Sequence, residues 1–227
     1  MAWELPKTSV SCLTNMVSNF HTFAPLAVYE TDLPGFLPAI YKSYDDHKFS
    51  TEGGQVTGEL AGKVLVHQDN RLHDFFKAIG RKTRDYLKHF DLDTDAFEVN
   101  VTKSWFGICD PGQSFPMHYH SCAHISFVYY VQPTGDPIVF HTENANQWFG
   151  AAFSFTGQQK GLNTRDYVIQ PKAEQLLLFP GSLEHYTVPV DRAHTRISLA
   201  GDIVLTLKKH KVGSEAGLLS PRFWKRF

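Results

Sequence analysis

FEVNVTKSWFGI, residues 97–108, is the stretch on which the fold turns. It is a short run of β-branched and aromatic residues, and from here on the hydrophobic period changes. ISFVYYVQP (125–133), PIVFH (137–141), YVIQP (167–171), EQLLLFP (174–180) and TRISLAGDIVLTL (195–207) follow in the same style. Each is bounded by Gly, Pro or Asp, and no helical pattern separates them. Six or more consecutive strands imply an antiparallel sandwich or barrel over the last 130 or so residues.

Upstream, the pattern is helical. In residues 70–90, NRLHDFFKAIGRKTRDYLKHF, the positions Leu72, Phe75, Phe76, Ile79, Tyr86, Leu87 and Phe90 recur at spacings of three and four. That face is expected to be buried against something large and apolar. FAPLAVYETDL (23–33) reads as an early strand and LPGFLPAIYKSY (33–44) as a short helix bounded by prolines. STEGGQVTGELAG (50–62) reads as loop. The expected architecture is mostly β with helices, organised as a single domain over 1–227. Residues 1–95 form a mixed support, 96–207 a barrel core and 208–227 a C-terminal tail.

Composition narrows the function classes. A length of 227 residues with 42% apolar and 14% aromatic content is enough for one sizeable core. The formal net charge of -1 offers no basic excess for nucleic acid. No apolar run approaches the ~20 residues of a membrane span. The start, MAWELPKTSV, lacks the basic and apolar regions of a secretory signal. Cys12, Cys109 and Cys122 are sparse and lack zinc-ribbon spacing, so reduced thiols in a cytoplasmic protein are expected.

Alternation within the strands separates two faces. Arg196, Ser198 and Asp202 share one side of TRISLAGDI, and Ile197, Leu199 and Ile203 the other. If the chain from His118 onward is a regular strand, His120, Cys122, His124, Ser126 and Tyr130 line up against Ile125, Phe127, Tyr129 and Val131. The polar side fits either a functional lumen or a solvent-facing surface.

Histidine is the unusual residue. His118 and His120, two apart, would project to one side of a strand and could reach one ion. His185 lies beyond a Pro-Gly turn in LLLFPGSLEHYTVPV (176–190), and Arg196 follows eleven residues later. Three protein ligands on one face leave open positions for substrate and oxygen, as in non-haem Fe(II) oxygenases. Trp105 reads as core, and Cys122 as a small buried residue near the site.

These segments resemble the 2-oxoglutarate- and Fe(II)-dependent oxygenases, most closely a group found in marine bacteria and their phages. The resemblance runs over about residues 70–207. It is carried by SWFGICDPGQSFPMHYHSCAHISFVYYVQP and LLLFPGSLEHYTVPVDRAHTRISLAGDIVL. It implies a double-stranded β-helix, a jelly-roll or cupin-like barrel with supporting N-terminal helices. It further implies Fe(II) on His118, His120 and His185, 2-oxoglutarate as co-substrate held by Arg196 with Ser198, and O2. Tyr130 is a candidate for the same carboxylate. The wider superfamily has Asp or Glu where this chain has His120, which leaves the iron site one positive charge higher. Asp110 and Glu184 are nearby carboxylates that could supply the difference.

Gly112-x5-His118-x-His120-x3-His124 also resembles the first cupin motif, with His124 at its glutamate position. The second cupin motif is poorly matched. His124 is therefore a candidate ligand, a support for a ligand, or a pocket histidine. Asn144, Trp148, Asn163 and Arg165, in the polar stretch 141–168, are candidates for contacting substrate. The expected enzyme is a hydroxylase that oxidises a small molecule or peptide side chain and releases succinate and CO2. The rival readings are a three-histidine dioxygenase without 2-oxoglutarate and a non-catalytic ligand-binding barrel. The basic, aromatic tail LKKHKVGSEAGLLSPRFWKRF is a candidate homodimer contact.

Overall fold

Every second residue of the central strands is apolar, and both sides of those strands are buried. The computed structural model describes residues 27–47, 59–61, 64–142, 165–191, 194–208 and 217–225. Strands β1 (Tyr29–Asp32), β2 (Glu59–Ala61), β3 (Phe97–Cys109), β4 (Ile125–Gln132), β7 (Gln175–Pro180) and β9 (Arg196–Leu207) form one sheet, in the order β1-β7-β4-β9-β3-β2. Strands β5 (Ile138–His141), β6 (Asp166–Ile169) and β8 (Glu184–Thr187) form a second, in the order β6-β5-β8. All ladders are antiparallel. The chain passes from the large sheet to the small one and back twice between β4 and β9, which makes a double-stranded β-helix.

The large sheet has two differently covered faces. Odd positions of β4 (Ile125, Phe127, Tyr129, Val131) and β9 (Ile197, Leu199, Ile203) join Leu176, Leu178 and Phe106 in one cluster beneath the helices. Helix α2 (His73–Lys88) buries Phe75, Ala78, Ile79, Thr83, Tyr86 and Leu87 there. The Phe75 and Tyr129 rings meet edge to face at 5.0 Å between centroids. Burying each such side chain contributes roughly 1.5–3 kcal/mol. On the opposite face, Val128, Tyr130, Leu177 and Phe179 pack against Ile138, Phe140 and Ile169 of the small sheet.

The helical layer is pinned by one carboxylate. Asp69 Oδ2 accepts from Ser43 Oγ on α1 (Leu37–His47) at 2.7 Å, and Asp69 Oδ1 accepts from the Arg71 backbone N–H at 3.0 Å. Its pKa is held well below the usual carboxylate range, first by the Arg71 side chain and further by Ser43, against an opposing desolvation. The chain leaves α2 through Asp91, whose φ of 55° is left-handed.

Several sequence expectations are corrected here. Phe90 falls beyond the end of α2 and is 43% exposed, although its ring still touches Tyr86. The stretch expected to be loop contains β2, which pairs with Phe106–Ile108. Three residues at a sheet edge are too few to show a period. The early strand covers Tyr29–Asp32 and the short helix Leu37–His47. Strand β8 was not expected at all. In the tail, residues 217–225 fold back, with the Leu207 N–H donating to the Leu218 carbonyl at 2.7 Å.

Candidate metal centre

The extended segment before β4 runs beside β8. His118 and His185 exchange both backbone hydrogen bonds, at 3.0 and 2.9 Å. Phe115 donates to Thr187 Oγ1 and accepts from the Thr187 N–H. This pairing places the HxH pair across from His185. A turn at Ser121–Cys122 then separates the pair from β4, so the chain between His118 and Ile125 is not one regular strand. Gly181 locks that turn. It accepts from the His120 N–H at 2.7 Å and donates to the His124 carbonyl at 3.1 Å. A Cβ on Gly181 would lie 2.3 Å from the Ala123 carbonyl oxygen, so only glycine fits this approach.

One nitrogen from each of His118, His120 and His185 forms a group whose members all lie within 4.8 Å of one another. Ring centroids are 4.3 Å apart for His118 and His185, and 5.3 Å for His120 with either neighbour. The Nδ1 atoms are already engaged with groups that only accept. His118 Nδ1 donates to the Pro116 carbonyl at 2.7 Å, and His185 Nδ1 to the Leu183 carbonyl at 2.9 Å. His120 Nδ1 lies 2.5 Å from Asp202 Oδ1. All three Nε2 atoms are therefore left as lone-pair donors, the tautomer that metal ligation needs.

At His118 and His185 the surroundings favour neutral imidazole. Burial lowers the pKa of His118, and pushes that of His185 down to about 3. Phe179 meets His185 edge-on at 4.8 Å, and Phe140 lies 6.0 Å away. Trp105, expected to be plain core, is half-buried and stacks on His120 at 5.6 Å and 16°.

Polar residues of β9 face the same interior. Arg196 is 3% exposed. Its guanidinium donates to Thr187 Oγ1 at 2.7 Å and approaches the Val188 carbonyl at 3.5 Å and Cys109 Sγ at 3.2 Å. No carboxylate of the described residues forms an ion pair with it. Ser198 lies opposite both Tyr130 and Gly107, and its hydroxyl donates to the Gly107 carbonyl at 3.4 Å. Burial raises the pKa of Cys109, keeping a neutral thiol beside the arginine. The two readings left open for the polar strand face are thus decided in favour of an enclosed lumen.

The other candidates separate from this group. His124 is exposed, and its Nδ1 accepts from the Leu205 N–H at 3.0 Å, so it continues the β4–β9 ladder. Cys122 is exposed, because the turn carries it outward. Asp110 is exposed and accepts from Thr195 Oγ1 at 2.6 Å. Glu184 is the neighbour of His185 on β8 and points to the opposite side of that strand. Neither carboxylate belongs to the cluster of potential ligands. Arg165 lines a cavity of about 520 Å³ with Phe115, Met117, His141 and Tyr186, beside the segment that carries His118. Asn144, Trp148 and Asn163 lie outside the described residues. Asp202 was missed as a candidate. Its place on the Arg196–Ser198 face was the available signal.

Residues 103–202 match the family model described as "Putative 2OG-Fe(II) oxygenase". Among solved structures, the chain is similar to the non-heme alpha ketoglutarate dependent carbocyclase SnoK from nogalamycin biosynthesis. There the identity is 9% and the TM-score 0.52, with 86% of this chain and 89% of that one covered. The related epimerase SnoN aligns at 8% identity and a TM-score of 0.51, covering 86% and 91%. A Trichoplax adhaerens prolyl hydroxylase, solved with a hypoxia inducible factor peptide, aligns at 11% identity and a TM-score of 0.50, covering 85% and 87%. At these identities the likeness is one of fold. No curated protein matches the sequence.

Proposed function

We propose that the chain is a 2OG-Fe(II) oxygenase, as the family model matched by residues 103–202 suggests, in which Fe(II) binds His118, His120 and His185 while Arg196 holds 2-oxoglutarate. The observation that carries the reading is the buried guanidinium, which has no ion-pair partner among the described residues, on the same lumen face as three convergent imidazoles. A buried charge needs an opposite one. The distal carboxylate of 2-oxoglutarate matches the donor fork of arginine. The histidines fit the metal as well, since each Nδ1 is anchored to an acceptor and the Nε2 of each is left for ligation.

When bound, iron and co-substrate activate O2: R–H, 2-oxoglutarate and O2 give R–OH, succinate and CO2. The protein's own residues set the conditions for this. Phe140, Phe179 and Trp105 set aromatic rings against His185 and His120. Thr187 orients the Arg196 fork, with Ser198 and Tyr130 beside it on the lumen face. The cavity at Phe115, Met117 and Arg165 is our candidate entrance for the molecule oxidised, a small molecule or peptide side chain. The free thiols Cys109 and Cys122 fit a reducing setting such as the cytoplasm. Among the described residues no helix is long and apolar enough to cross a membrane.

The test is anaerobic reconstitution with Fe(II) followed by 2-oxoglutarate. A visible charge-transfer band is expected. No band from the folded wild-type protein would overturn the reading.

A further inference from the structure

The lumen holds a carboxylate that neither the iron nor the co-substrate accounts for. Asp202 is 5% exposed on β9. Its Oδ1 accepts from His120 Nδ1 at 2.5 Å and from Ser126 Oγ at 3.3 Å. Ser126 is fully buried, and Trp105 stacks on the His120 ring. His120 is thus held by its edge and by its face. The other two histidines are held differently, because their Nδ1 atoms donate to the neutral carbonyls of Pro116 and Leu183. Only His120 donates to an anion.

We propose that Asp202 is a positioning residue of the metal centre. It takes the Nδ1–H of His120, fixes the tautomer that leaves Nε2 for the metal, and makes that imidazole the most electron-rich of the three. It also returns to the centre the negative charge that a two-histidine, one-carboxylate set carries on the ligand itself. The carboxylate has moved one residue outward, from the ligand position to the atom behind it. This inference rests on the reading of His118, His120 and His185 as metal ligands.

Asp202→Asn keeps the shape and removes the charge. Co(II) titration of the full chain, without oxygen chemistry, reads the effect. Wild type is expected to bind, and Asp202→Asn to bind about 10- to 100-fold more weakly. Its Fe(II)/2-oxoglutarate charge-transfer band should also shift. In a His120→Asp background, Asp202→Asn should cause no further loss, because the ring through which Asp202 acts is gone. Equal affinity of wild type and Asp202→Asn, or an additive loss in the His120→Asp background, would overturn the proposal. Failure of wild type to bind Co(II) would instead overturn the ligand reading, and this proposal with it. One readout needs no variant. The imidazole ¹⁵N spectrum of the metal-free wild type at pH 8 should show His120 as the Nδ1–H tautomer, and an Nε2–H ring would refute the role.

Discussion

The two faces of the large sheet both bury side chains and are chemically unlike. Beneath the helices, Phe127, Tyr129, Leu176, Leu178, Leu199 and Ile203 form a nearly unbroken apolar layer. Facing the small sheet, the same strands bury Ser126, Arg196, Ser198 and Asp202 beside Tyr130 and Phe179. Burial of apolar area stabilises the fold, whereas burial of an arginine or carboxylate opposes it unless partners compensate. The difference teaches that the helix side is built for stability, while the lumen side holds the polar groups to which the proposed chemistry is assigned. Substitutions should therefore separate the two.

The largest expected effect is on the lumen. His185→Ala should abolish the charge-transfer band and metal-dependent succinate release. The metal-free protein should unfold within about 1 kcal/mol of wild type, since the polar ring it removes is itself costly to bury. Anaerobic absorbance and urea melts of the metal-free protein check both halves.

Phe75→Ala attacks the other face and should cost about 3–5 kcal/mol of stability. In the fraction that stays folded, the apparent KM for 2-oxoglutarate should not change. Urea denaturation alongside steady-state kinetics would show whether the faces are in fact coupled.

Arg196→Ala should weaken 2-oxoglutarate by about 2–3 kcal/mol, or roughly 30- to 150-fold, and leave Co(II) affinity intact. A three-histidine dioxygenase without 2-oxoglutarate predicts no such split. Calorimetric titration with each ligand decides between them.

Asp69 offers a pH test on the helix side. Its folded pKa is depressed, so its contribution is fully present above the unfolded value near 3.8 and is lost progressively as pH falls from there through the folded value. Asp69→Asn should therefore lower the unfolding free energy from urea melts at pH 7 by about 1–2 kcal/mol. The gap to wild type should begin to narrow only below pH 3.8 and should close only as pH falls through the much lower folded value. A constant gap would mean that Asp69 acts by shape alone.

His124→Ala should do least. It removes one exposed acceptor for the Leu205 N–H, worth about 0.5–1 kcal/mol, and should not alter Co(II) affinity. A measurable loss of metal would place His124 with the ligands and blur the contrast between site and ladder.

Much of this contrast is legible in the sequence. Ile125, Phe127 and Tyr129 on one side, with Arg196 and Ser198 on another, already divide the strands into faces. The spacing of Phe75, Ile79 and Tyr86 marks the stripe that α2 buries. Strand β8 was not legible, because Glu184–Thr187 is four residues of mixed polarity between a Gly-Ser turn and a proline. Its existence depends on Ile138–His141, more than forty positions away in the chain. Nor did the pattern reveal the turn at Ser121–Cys122, which carries Cys122 and His124 away from the pair before them.

Sequence alone determined the strand-rich core, the two-faced strands, the amphipathic helix and the identity of the convergent histidines. These follow from local period and residue chemistry, which the chain carries at each position. Tertiary structure alone decided that the polar face is a lumen, that His124 stands apart, that Trp105 covers His120, and that Asp202 lies behind the ring. Each of those depends on residues far apart in sequence meeting across two sheets. A period can say which side a residue faces, but what covers that side is set by the strands that pack on it.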